Sequence, residues 1–183
     1  MKTNIILIGF MGTGKTAVGK RLATILDKSF FDTDQEVEEV TGMPISQLFN
    51  KYGEVRFRSE ENLAIQRLLK KDNCIIATGG GIVLNHENID YLAQNGVVIC
   101  LTARPEIIYE RVKRRNNRPL LKKGNLQDTI IKLMKEREEL YKRADYYIDT
   151  SELDFRDIIE RIIVFLEEYW QVPIRVQQSE NWC

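Results

Sequence analysis

The sequence predicts a three-layer α/β/α protein built on a five-stranded parallel sheet. Three observations carry that reading. Short apolar runs recur without polar alternation, as strands covered on both faces require. Longer stretches at helical spacing separate them, the order that places helices on both sides of a sheet. The chain has 183 residues, 43% of them hydrophobic, enough for one sizeable core. In chain order, Asn4 to Ile8 (NIILI) reads as the first buried strand, followed after Lys15 by a helix with Val18, Leu22 and Leu26 on one face. Ser29 to Phe31 is the second strand, Cys74 to Ala77 the third, Val97 to Leu101 the fourth and Tyr146 to Ile148 the fifth. Helical patterns fall at about 54–71, 86–95, 105–115, 126–144 and 154–170. Residues 1–170 therefore read as one domain, and 171–183 as an aperiodic tail. Residues 33–61 carry more helix and charge than a plain crossover needs, which marks an inserted subdomain.

Composition limits the function classes. The 27 basic and 27 acidic side chains leave no net charge, against a general nucleic-acid binder. With 30% charged and 9% aromatic residues, the chain is not of the disordered type. Cys74, Cys100 and Cys183 are widely spaced and odd in number, which reads as neither a disulfide framework nor a zinc site, and Cys74 and Cys100, in apolar runs, read as buried reduced thiols in strands. The first apolar run is too short to span a membrane and has no small-residue cleavage site. The cytoplasm is the expected location, with no membrane partner.

Gly9 to Thr16 (GFMGTGKT) matches G-x-x-x-x-G-K-[ST], between a buried strand and a helix, the context a phosphate-binding loop needs. Its backbone amides and the helix N-terminus attract phosphate oxygens. Lys15 is placed for the β- and γ-phosphates of a nucleotide and Thr16 for Mg2+. No N-K-x-D base-reading motif accompanies the loop, so a kinase with an acceptor site is expected in preference to a GTPase.

Four further features describe that acceptor site. Asp32 and Asp34 stand two apart after the second strand and could point to one side of an extended backbone, although such a pair is also what a helix cap looks like. One could support Mg2+ while the other binds or deprotonates a hydroxyl. Arg58 has Glu54 four residues before it and Glu61 three after, on one helix face. That is either a surface ladder of ion pairs or a guanidinium oriented to bind a small carboxylate. Gly79, Gly80 and Gly81 follow the third strand directly, at the sheet edge where α/β proteins hold ligands, and imply close approach of backbone to substrate. Arg137 heads a helical face with Tyr141 and Ala144, which taken alone is a charged surface. Seven of the thirteen residues from Arg111 to Lys123 are basic and none is acidic. The Asn116–Pro119 core of that run breaks helix, so 112–124 reads as a lid that would bring Arg118 onto the transferring phosphoryl group. The run lacks the interleaved aromatics of a nucleic-acid site.

Taken in order over roughly residues 5–165, these segments resemble the shikimate kinases, which belong to the nucleoside-monophosphate-kinase-like group of phosphate-loop proteins: GFMGTGKT, FFDTD, GEVRFRSEE, TGGG, RNNRPLL and the R-x-x-x-Y-x-x-x-A-D stretch from Arg137. The resemblance implies the P-loop NTPase fold and transfer of the ATP γ-phosphoryl group to the 3-hydroxyl of shikimate, the alternatives being a small-molecule kinase of the same fold with another acceptor such as gluconate, or a non-catalytic nucleotide-binding regulator. It implies that Gly12, Thr13, Gly14, Lys15, Thr16 and Ala17 bind ATP, with Arg111 on the adenine side and Arg118 on the phosphates. Thr16 and Asp32 would serve Mg2+. Asp34 would bind ring hydroxyls and assist deprotonation, Arg58 and Arg137 would hold the carboxylate, and Gly79, Gly80 and Gly81 would lie against the ring. Lys15, Asp34 and Arg118 are the expected catalytic residues. Ala17 departs from relatives with a second hydroxyl residue there, which affects a secondary phosphate contact. Nothing in the pattern requires more than a monomer.

Overall fold

The computed structural model describes residues 2–113 and 125–174. Arg118, most of the expected lid, Cys183 and the end of the tail lie outside the described residues. The elements are β1 (Asn4–Ile8), α1 (Lys15–Leu26), β2 (Ser29–Asp32), α2 (Thr33–Thr41), α3 (Ile45–Leu68), β3 (Cys74–Ala77), a 3-10 turn (Ile82–Leu84), α4 (His86–Asn95), β4 (Gly96–Thr102), α5 (Pro105–Val112), α6 (Leu126–Tyr141), β5 (Tyr146–Asp149) and α7 (Phe155–Trp170). All five strands are parallel, in the order β2-β3-β1-β4-β5. Ile5 of β1 pairs with Ile75 on one side and Val97 on the other.

The unbroken apolar runs have a direct cause. Successive side chains of a strand point to opposite faces. Ile5 and Leu7 join Val97, Ile99 and Leu101 in one core with α1 and α7, while Ile6 and Ile8 join Val98 and Cys100 in the other with α4 to α6. Both faces are covered, so neither parity can be polar. Cys74 and Cys100 are buried free thiols, as read from the sequence. No helix among the described residues is long and apolar enough to cross a membrane.

Helix ends depart from the sequence reading in instructive ways. Helix α5 ends at Val112 and α6 at Tyr141, so Ala144 lies beyond the helix on which it was expected. The helix read from residue 54 is preceded by another helical segment: α3 spans Ile45–Leu68 with a break at Gly53, whose φ of 79° and ψ of 178° are non-helical. Its N-terminal part packs with α2 around Val37, Leu48, Phe57 and Ala64, a small core distinct from the main ones. The Arg67 Nε–Glu36 Oε1 pair at 2.9 Å ties α2 to α3.

Candidate active site

Strand β1 sits between β3 and β4, and the chain leaves it towards β2 on one side and later reaches β4 on the other. Ligands of open α/β sheets collect beyond the carboxyl ends of the strands at such a reversal. The loop after β1 occupies that position. Gly14 is the N-cap of α1 at a φ of 99°, a backbone state that disfavours a β-carbon. Thr13 is buried and its hydroxyl donates to the Phe10 carbonyl. Lys15 is 8% exposed, and its ammonium donates to the carbonyls of Gly9 and Phe10 at 2.8 and 2.9 Å. A cavity of about 410 Å3 follows this loop, lined by Gly12, Thr13, Gly14, Lys15, Thr16 and Ala17. Arg111 and Thr150 close one side, with Leu153 and Phe155 supplying apolar surface. The Arg111 guanidinium donates to the Thr150 hydroxyl (3.0 Å), the Thr150 carbonyl (2.8 Å) and the Gly12 carbonyl (3.3 Å).

A second cavity of about 520 Å3 adjoins the first, and the two share Met11, Thr16, Asp32, Asp34, Gly79 and Gly80. Asp34, Arg58, Gly81 and Arg137 line it with Glu61, and Phe49 and Phe57 form an apolar wall. The sequence-predicted residues among those described thus fall into two touching groups, one on each side of Thr16 and the Asp32–Asp34 turn.

Asp32 and Asp34 do not lie together on an extended backbone. Asp32 ends β2 and caps α2, its Oδ1 accepting from the Asp34 N–H at 2.9 Å, and Asp34 is in the first helical turn. The carboxylate cap starts the helix, satisfying an amide that would otherwise be orphaned. The cap and the functional placement are one arrangement, because Oδ2 of Asp32 accepts from the Thr16 hydroxyl at 2.8 Å.

Arg58 is clamped as its spacing implied. It donates to Glu61 Oε2 at 2.5 Å and to Glu54 Oε1 at 3.1 Å. Glu61 is 2% exposed and Glu54 is half exposed, so the two acids are unequal partners. Burial pushes the Glu61 carboxyl up to about 7, and Asp34 adds to that rise while Arg58 and Arg137 oppose it. Arg58 Nε is buried and makes no hydrogen bond among the described residues.

The triple glycine has a cause beyond room for a substrate. A β-carbon on Gly79 would come within 2.6 Å of both Asp34 Oδ1 and Glu61 Oε1, and one on Gly81 within 2.2 Å of Arg58 Nη1. The bare backbone lets the protein's own charged groups converge. Gly79 N–H donates to the Thr33 hydroxyl at 2.8 Å, which fixes this wall to α2.

Arg137 is not on a surface: it is 3% exposed. Its Nη1 donates to the Gly80 carbonyl at 3.1 Å, its guanidinium carbon lies 5.6 Å from the centre of the Phe10 ring, and its Nε makes no hydrogen bond among the described residues. Two guanidinium groups with unsatisfied Nε atoms therefore border one cavity, a donor set suited to a carboxylate. Sequence reasoning missed Thr33, Thr150 and the aromatic wall. Thr150 stands just beyond β5, and the sheet-edge rule that singled out the glycines applies to it equally.

The sequence profile of the family described as shikimate kinase matches residues 11–167. A shikimate kinase of Pelotomaculum thermopropionicum is 53% identical over 91% of this chain and 96% of its own length. One from Desulforudis audaxviator is 49% identical over 90% of this chain and 87% of its own. Among solved structures, the shikimate kinase of Acinetobacter baumannii in complex with shikimate superposes with a TM-score of 0.88 at 38% identity, covering 91% of this chain and 94% of that one. The Aquifex aeolicus shikimate kinase gives a TM-score of 0.80 at 35% identity, covering 91% and 98%. With its profile match and these close relatives, the chain belongs to the shikimate kinase family.

Proposed function

We propose that the protein transfers the γ-phosphoryl group of ATP to the 3-hydroxyl of shikimate, giving shikimate 3-phosphate and ADP in the synthesis of aromatic amino acids. The observation that carries the reading is the junction of the two cavities. Arg58, Arg137, Asp34 and the glycine wall face one side of Thr16 and Asp32, and the phosphate loop faces the other. A ring held by its carboxylate on the two arginines would present a hydroxyl towards the loop.

Asp34 is the group to bind that hydroxyl and take its proton. The acceptor oxygen bonds to the γ-phosphorus as the bond from phosphorus to the β–γ bridging oxygen breaks, and ADP leaves with the electron pair. Lys15, the loop amides and Arg118 bind phosphate oxygens, with Gly12, Thr13, Gly14 and Ala17 shaping the loop and Arg111 bordering the adenine side. Positioning and charge neutralisation supply most of the rate.

The donor set also fits Mg2+. A hydroxyl and one neighbouring carboxylate, Thr16 and Asp32, match an ion that keeps most of its shell for water and phosphate oxygens. Bound there, it would offset negative charge on the transferring group. We likewise propose that the protein acts as a monomer in the cytoplasm.

An ADP-release assay with shikimate, with gluconate and with no acceptor tests this. Turnover is expected with shikimate alone. Robust turnover with gluconate and none with shikimate would sink the reading.

A further inference from the structure

We infer that Tyr141 is a positioning residue of the acceptor cavity, holding the Gly80–Gly81 peptide and the Arg137 guanidinium in one fixed arrangement. The inference rests on the acceptor reading given above. Its basis is a single carbonyl. Gly80 O accepts from the Tyr141 hydroxyl at 2.8 Å and from Arg137 Nη1 at 3.1 Å, so both of its lone pairs are engaged by α6. Tyr141 and Arg137 are four residues apart, one helical turn, and converge on the same atom.

Two consequences follow from peptide geometry. No peptide bond in the described chain is cis. In a trans peptide the C=O and the following N–H point in opposite directions. Fixing Gly80 O against α6 therefore turns the Gly81 N–H away from α6, and that N–H makes no hydrogen bond among the described residues. A donor is held ready on the wall of the cavity. The shared acceptor also sets the roll of the Arg137 guanidinium, which keeps its Nε unpaired.

The hydroxyl is anchored for the task. Tyr141 is 7% exposed and its ring packs in the core between the sheet and α4 to α6. The carbonyl of Tyr141 accepts from the Tyr147 hydroxyl at 3.0 Å, which steadies the end of α6. Burial raises the phenol well above its ordinary titration range, so it stays a donor at working pH. Gly80 also lies close against the phosphate loop, where a β-carbon built on it would come 3.0 Å from the Met11 nitrogen.

Tyr141→Phe removes one oxygen and leaves the ring. The KM for shikimate is expected to rise roughly fivefold to tenfold, the effect of one buried hydrogen bond, with kcat and the KM for ATP changed less than about twofold. In amide NMR spectra, shikimate should shift the Gly81 resonance of the wild type and shift it less in the variant. Thermal unfolding of the two proteins reports the fold separately. An unchanged KM for shikimate, or a rise in both KM values together with a lowered melting temperature, would overturn the inference. If shikimate moved neither the Gly81 resonance nor the ADP-release rate of the wild type, the acceptor reading would fall and this inference with it. A wild type and a variant that respond equally to shikimate overturn the inference alone.

Discussion

The two adjoining cavities are built on different principles. The nucleotide side is built around one continuous segment, Met11 to Val18, whose backbone is shaped by glycines and by the start of α1. The acceptor side is assembled from side chains on α2, α3, α6 and the loop after β3. A continuous loop presents amide donors whose spacing is fixed by covalent geometry. An assembled pocket depends on buried ion pairs, each with a desolvation cost that its partner must offset. Substitutions on the two sides should therefore differ in kind as well as size.

The largest effect belongs to the loop. Lys15→Ala should lower kcat by roughly a thousandfold or more, because it removes a preorganised cation from the transferring charge. Shikimate binding measured by calorimetry should be nearly unchanged, since Lys15 lines the nucleotide cavity and not the acceptor one. A variant that lost shikimate binding and kept kcat would erase the distinction between the two sides.

Arg58→Ala is the corresponding break on the acceptor side. It removes one carboxylate-binding guanidinium and leaves Glu61, 2% exposed, without its ion partner. Shikimate binding should weaken by about 2–5 kcal/mol, with ATP binding little affected. Calorimetric titration with each substrate separates the two, and an equal loss for both would count against two independent pockets.

How much of this was legible in the sequence follows the same division. GFMGTGKT carries its meaning in eight adjacent residues, so the loop, its strand and its helix could be read directly. The strands were legible because coverage on both faces leaves an unbroken apolar run. Arg137 was not: its spacing describes a charged helix face, yet Gly80 O lies 57 residues away in sequence and Phe10 farther still. Contacts of that range leave no local trace. Asp34 was placed on an extended backbone because the capping carboxylate of Asp32 is two residues upstream and the helix begins at once. The glycine wall was recognised as exceptional, but only the fold reveals that its missing β-carbons make room for Asp34, Glu61 and Arg58.

The acceptor side should also impose a pH dependence. Glu61 titrates near 4.5 when solvated and is pushed up to about 7 in the folded protein, chiefly by burial, with Asp34 of α2 adding to the rise and Arg58 of α3 and Arg137 of α6 opposing it. Between those two values the folded state binds a proton that the unfolded state has released. Stability must then fall as pH rises across this window, by on the order of 3 kcal/mol at most. Urea unfolding of wild type and Glu61→Gln from pH 4 to 8 should show that slope flattened in the variant. Identical slopes would remove Glu61 as its source.

The smallest effect sharpens the comparison within a single residue's partners. Arg58 has two acids on its own helix, but Glu54 is half exposed and pairs at 3.1 Å, whereas Glu61 is enclosed. Water screens the first pair and not the second, so geometry alone would overrate Glu54. Glu54→Gln should cost about 0.5 kcal/mol, a change of roughly twofold in the KM for shikimate. The difference should vanish at high salt, where exposed charges are screened. The larger effect of Glu61→Gln on the same KM should persist there, because a buried charge keeps its local dielectric. If raising the salt abolished both effects equally, the clamp on Arg58 would be a surface ladder and the acceptor side would lose its buried charge. Parallel KM measurements at low and high ionic strength decide the matter.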